Sequence, residues 1–114
     1  MPEKIDRLTR VNELLKREIA SEIEKSAVTP PGMLVSVTEV VTSVDLRNAT
    51  VCISVYGGEK SRHADIFREL NSRRSDIQKH LARVLAFKHT PVLNFKPDYR
   101  TEMGDRVLEL LNQE

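Results

Sequence analysis

The chain has 114 residues, 39% hydrophobic and 31% charged, with a formal net charge of +1; this is the composition of one globular domain that buries roughly 65% of its unfolded surface. No run of about 18 apolar residues exists to span a bilayer, and the opening "MPEKIDRLTR" lacks the apolar core and small-residue cleavage site of a signal peptide. Cys52 is the single cysteine, which excludes an internal disulfide and suits a reducing cytoplasm.

Ile5, Leu8, Val11, Leu15, Ile19 and Ile23 recur at spacings of three and four, the stripe of a core-facing helix. "TPPG" (Thr29 to Gly32) ends that helix, because proline lacks an amide donor and clashes with the preceding turn. "MLVSVTEVVTSV" then reads as a strand in which Val35 and Val37 alternate with polar neighbours while Val40 falls out of step. A bulge near Glu39 would restore the phase. "SVDLRN" turns the chain, and "ATVCISV" gives a cleaner strand with Ala49, Val51, Ile53 and Val55 on one face.

A long helix is expected from about Ser61 to Lys88, with Ile66, Phe67, Leu70, Ile77, Leu81, Val84 and Leu85 in one phase. Where the stripe should continue stand Arg73 and Arg74. "PVLNF" is a third strand with Leu93 and Phe95 on one face, and "TEMGDRVLELL" a short terminal helix docking Val107, Leu110 and Leu111. The order implies an α+β fold, a single domain over residues 1–114, with both main helices on one face of a three-stranded sheet. A right-handed crossover through the long helix sets the third strand parallel to the second.

Catalytic chemistry finds no constellation. His63, His80 and His89 are scattered without metal-ligand spacing. Cys52 has no identifiable base and reads as a packing residue. No phosphate loop and no dinucleotide fingerprint occur, and Gly57-Gly58 reads as a plain loop. No metal or cofactor is implied.

Charge is more informative. Between Asn71 and Pro97 lie Arg73, Arg74, Lys79, Arg83, Lys88 and Lys96, with His80 and His89, against Asp76 alone. Such a segment suits an anionic partner, the plainer alternative being a solvated helix face. Base stacking on the sheet is disfavoured, since its open face carries Ser36, Thr38, Thr50, Cys52 and Ser54, with Tyr56 only at its end. Contact with phosphates and sugars remains, from the basic helix and from Arg7 and Arg10.

A straight helix would aim Arg73 or Arg74 at the core, where an unpaired charge costs several kcal/mol. Either their stems snorkel, or the helix bends there, with Ser72 and Ser75 competing for backbone bonds. Both readings leave a cationic elbow facing outward. The candidate RNA-binding residues are Arg7, Arg10, Arg73, Arg74, Ser75, Lys79, Arg83 and Lys88.

"RLTRVNELLKREIASEI", "VTSVDLRNATVCISV" and "HTPVLNFKPD" resemble the bacterial ribosome-binding factor A family, from about Asp6 to Leu111. The family's R-x-x-R-V opening stands as Arg7, Arg10 and Val11; its S-P-D-L-x-x-A-x-V turn and strand as Ser43, Asp45, Leu46, Ala49 and Val51; its P-x-L-x-F-x-x-D close as Pro91, Leu93, Phe95 and Asp98. The resemblance implies a KH-like fold of the second type, α-β-β-α-kink-α-β. It also implies a non-catalytic, cytoplasmic, monomeric assembly factor. Such a factor binds the immature small (30S) ribosomal subunit and its 16S rRNA, supports late rRNA maturation, notably in the cold, and leaves with help from a GTPase. The chain departs from the pattern twice. Arg73, Arg74 and Ser75 replace the family's A-x-G at the bend, and Val44 replaces the proline of S-P-D-L. Asp45 reads as a turn residue and Asp98 as a strand stop. The alternative from another class is a protein-interaction module whose basic helix binds an acidic partner.

Overall fold

The computed structural model describes residues 3–26 and 29–98; the terminal helix expected around Val107 to Leu111 lies outside them. Its elements are α1 (Glu3–Lys25), β1 (Leu34–Thr42), β2 (Asn48–Tyr56), α2 (Lys60–Ser72), α3 (Arg74–Val84) and β3 (Val92–Pro97). The sheet has the order β1-β2-β3, with β1 antiparallel and β3 parallel to the central strand. This is the expected α+β arrangement, and the crossover through α2 and α3 makes the parallel pair.

The register slips between Val37 and Glu39: Val37 faces Ile53, and Glu39 faces Cys52. Thr38 is the extra residue, so Val35, Val37, Val40 and Thr42 all turn to one side of the sheet. That side carries Val40, Ala49, Val51, Ile53 and Leu93, which close a core with Leu15, Ile19 and Ile23 of α1, Ile66 and Leu70 of α2, and Ile77 and Leu81 of α3. Asp98 does more than end β3. Its amide donates to Ile53 O, and its carboxylate accepts from the Thr38 hydroxyl, which also faces Cys52 O at 3.2 Å.

Each junction has a local cause. Ser26 closes α1, its hydroxyl donating to Ile23 O at 2.9 Å, so the helix stops short of the prolines. Asn12 on α1 accepts from the Thr42 amide at 3.0 Å, which ties the end of β1 to the helix. After β2 the chain reverses at Gly57, whose φ is +89° and where a Cβ would stand 2.6 Å from Gly32 O; only glycine fits. The His63 ring nitrogen pairs with Gly57 O at 3.0 Å and secures the start of α2.

The long helix expected to Lys88 ends at Val84 instead. Leu85 is extended (φ −116°, ψ 128°), and its amide donates to Leu81 O as the last helical bond. Leu85 and Phe87 still pack on the core, but from a tight turn in which the Phe87 amide donates to Leu85 O at 2.8 Å. Val84, assigned to the buried stripe by its helical phase, is 47% exposed.

Candidate nucleic-acid interface

The basic helix is two helices. α2 stops at Ser72, α3 starts at Arg74, and Arg73 between them has φ −95° and ψ 0°, the sparsely allowed bridge region. The Ser72 hydroxyl donates to Glu69 O at 2.7 Å, and the Arg73 amide is shared between Glu69 O and Leu70 O, both at 3.1 Å. A serine competing for backbone bonds therefore accompanies the break. No Ala-x-Gly is needed: a single residue leaves helical geometry, and helical bonding resumes when the Ile77 amide finds Arg73 O at 3.0 Å.

This break answers how two arginines stand in an apolar stripe. Ile66 and Leu70 on one side and Ile77 and Leu81 on the other are buried, while Arg73 and Arg74 are half-buried. Arg73 Nε lies 2.9 Å from Glu69 Oε1 one turn earlier, in a pair with side chains 38% and 47% exposed; such a pair is worth about 0.3–0.5 kcal/mol. Arg74 has no ion pair among the described residues. Ser75 beside it is exposed.

α3 is held from two sides by residues two apart. Gln78 Oε1 accepts from the Leu93 amide of β3 at 3.0 Å, and His80 faces Glu18 and Glu22 of α1 at 3.4 and 3.0 Å. With those side chains and the buried Ile77 and Leu81 setting the rotation of α3, Lys79 and Arg83 fall on its outer side, both exposed. They lie four apart and present two cations along one strip of surface.

Arg7, Arg10 and Lys88 are exposed as well, but the structure separates them from the elbow. Arg7 and Lys88 meet at the other end of α3, around a groove of about 450 Å³ lined also by Asp45, Leu46, Arg47, Phe87 and His89. About 16 Å of helix, at 1.5 Å per residue, lies between this groove and Arg74. Arg10 is on α1, outside the groove lining. Arg10 apart, the candidates thus form two clusters joined by Lys79 and Arg83. Arg47 was missed as a site residue because it sits in a turn, far along the chain from both Arg7 and Lys88.

That turn is built on Asp45. Its Oδ1 accepts from the Ser43 hydroxyl at 2.6 Å and the Arg47 amide at 3.1 Å, and the Asn48 amide donates to Ser43 Oγ at 3.0 Å. The Ser43 hydrogen bond, then the Arg47 amide, hold the Asp45 carboxyl below the ordinary aspartate range. Leu46 takes φ +61°, a left-handed conformation costly for leucine, and lines the groove. Among the described residues, no group of three or more His, Cys, Asp or Glu side chains could hold a metal ion, and no helix is long and apolar enough to cross a membrane.

Residues 7–111 match the family model described as Ribosome-binding factor A. The chain belongs to the ribosome-binding factor A family. A relative of that name from Rippkaea orientalis is 38% identical over 111 residues, covering 94% of this chain and 84% of the relative. One from Acetivibrio thermocellus is 33% identical over 110 residues, covering 96% and 89%. The crystal structure of ribosome-binding factor A from Thermus thermophilus superposes with a TM-score of 0.66 at 25% identity, over 79% of this chain and 94% of that one. A homology model of the Thermus thermophilus factor, fitted into a cryo-EM map of its 30S complex, has a TM-score of 0.62 at 27% identity, over 76% and 90%.

Proposed function

We propose that this chain is a non-enzymatic ribosome-binding factor that docks on the immature small (30S) subunit, contacts 16S rRNA, and supports late rRNA maturation and processing, including at low temperature. The observation that carries this reading is the likeness to a family member fitted into a map of its 30S complex. The factor acts as a cytoplasmic monomer and leaves the subunit with help from an assembly GTPase.

Binding rests on phosphate neutralisation rather than base reading. Arg74 has no ion pair among the described residues, Lys79 and Arg83 are exposed on the outer side of α3, and Ser75 exposes a hydroxyl beside them. Arg73 exchanges its exposed pairing with Glu69 for phosphate at little cost. Arg7, Arg10 and Lys88 extend the contact to the far end of the molecule.

Sedimentation of the full chain with free small subunits over a salt series tests this. With six phosphates contacted, log affinity falls against log salt with a slope of roughly −4 to −5. Changing Arg73 and Arg74 together to alanine weakens binding and flattens the slope while leaving stability nearly intact. A flat salt response in the parent chain overturns the electrostatic mechanism. Association with particles that survives nuclease identifies the basic helix as a binder of an acidic protein instead.

A further inference from the structure

The groove at the end of α3 is more than an extension of the basic strip. We infer that it is a pocket for one unstacked nucleotide of single-stranded RNA, with the base against Phe87 and Leu46 and the phosphate among Arg7, Arg47 and Lys88. The inference rests on the RNA-binding reading above and adds to it a site, a ligand class and a residue, Arg47, that sequence patterning did not mark.

Three observations converge. The groove encloses about 450 Å³, within the range of roughly 300–1,000 Å³ typical of small-ligand sites and far too small for a duplex. Its walls are apolar: Leu46 projects from a turn whose φ of +61° is fixed by the Asp45 bonds, and Phe87 is half-buried with the core packed behind it. A ring held in this way is a rigid stacking surface, and every base has a π-face to lay on it. The rest of the lining is largely cationic: Arg7, Arg47 and Lys88 are exposed, and the single carboxylate, Asp45, already accepts from Ser43 and Arg47.

This combination separates the groove from the elbow. At the elbow, Arg73 and Arg74 offer charge with no aromatic neighbour on α3, which suits a continuous phosphate backbone. At the groove, Leu46 and Phe87 share one cavity with three cations. A base paired within a helix cannot enter it, whereas a base splayed from a single strand can.

The test is an NMR titration of the isotope-labelled full chain with a single-stranded adenine tetranucleotide, with a duplex of matched charge, adenosine and inorganic phosphate as separate arms. The expected result is shifts at Leu46, Arg47 and Phe87 through His89, with ring-current shifts on one adenine. Phe87→Leu, which keeps the core filled, and Arg47→Gln, which changes an exposed side chain, each weaken the tetranucleotide about tenfold, the lower part of the range for one stacked base or one charge-assisted contact. Equal occupation by the duplex, or by phosphate alone with the same pattern of shifts, overturns the inference; the second outcome means an ion seat only. Small subunits are sedimented with the same preparations. Co-sedimentation without groove shifts removes the pocket and leaves the proposed function standing, whereas groove shifts without co-sedimentation do the reverse.

Discussion

His80 of α3 places Nδ1 3.0 Å from Glu22 Oε1 of α1, while its Nε2 lies 3.4 Å from Glu18 Oε2. A neutral imidazole has one N–H and serves one carboxylate at a time; the imidazolium serves both. The three side chains are only 20–27% exposed, so the contact is less screened than a surface pair. Replacing His80 with alanine should lower unfolding free energy by about 1–2 kcal/mol in urea denaturation. A double-mutant cycle with Glu22→Gln should show coupling; additive effects would mean that the two helices do not communicate through this contact.

Thr42 offers a stabilising change. Its amide is satisfied by Asn12, but its hydroxyl is buried with no partner among the described residues. Such a group carries a desolvation penalty without a compensating bond. Thr42→Val keeps the shape and the amide bond, so it should add about 1 kcal/mol. A fall in the denaturation midpoint would show that the hydroxyl is satisfied in solution.

The turn after β1 supplies a second stabilising change. The Leu46 amide donates to Ser43 O at 2.9 Å, which makes Val44 the first central residue of a β-turn, where proline is favoured. Val44 is 90% exposed, so losing its side chain costs little packing. Val44→Pro restores the family's S-P-D-L and should stabilise the fold by about 0.4–1 kcal/mol through the unfolded state. A lower thermal midpoint would mean that the Val44 backbone is not at proline's φ.

Asp45 gives a pH prediction with a definite sign. Its folded carboxyl titrates below the ordinary aspartate value, first because of the Ser43 hydroxyl and then because of the Arg47 amide. The stabilisation is therefore present above the unfolded value, about 3.9, and is lost as pH falls through the lower folded one. A carboxyl-carbon NMR titration should find the depressed midpoint, and Ser43→Ala should move it upward. An unmoved midpoint in that variant would dissociate the shift from the hydroxyl.

Much of this was legible in the residues. Val40 falling out of phase announced the bulge, because a period of two allows no other repair that keeps both halves of β1 on the core. The α1 stripe named Leu15, Ile19 and Ile23, all buried. The interruption at Arg73 and Arg74 marked where the helix breaks. The end of α3 was not legible: Leu81, Val84 and Leu85 keep the helical period past the point where the helix stops. Nor was Leu46, since leucine gives no sign of a left-handed backbone. The groove escaped for a different reason. Arg7, Arg47 and Lys88 come from a helix, a turn and a loop, and only the packing of α1 and α3 over the sheet makes them neighbours.

Thr38 stands where two residues of β1 answer to one of β2, so it takes up no position on the core side. Were it deleted, Val37 and Glu39 would still face Ile53 and Cys52 across an unbroken ladder, with Val40 and Thr42 still on the core side; what would go is the extra local twist of a bulge and the hydroxyl that ties β1 to Asp98. Removing Val40 instead would bring either Glu39 or Val41 to the core side, so two deletions only two positions apart should differ sharply in what the fold survives.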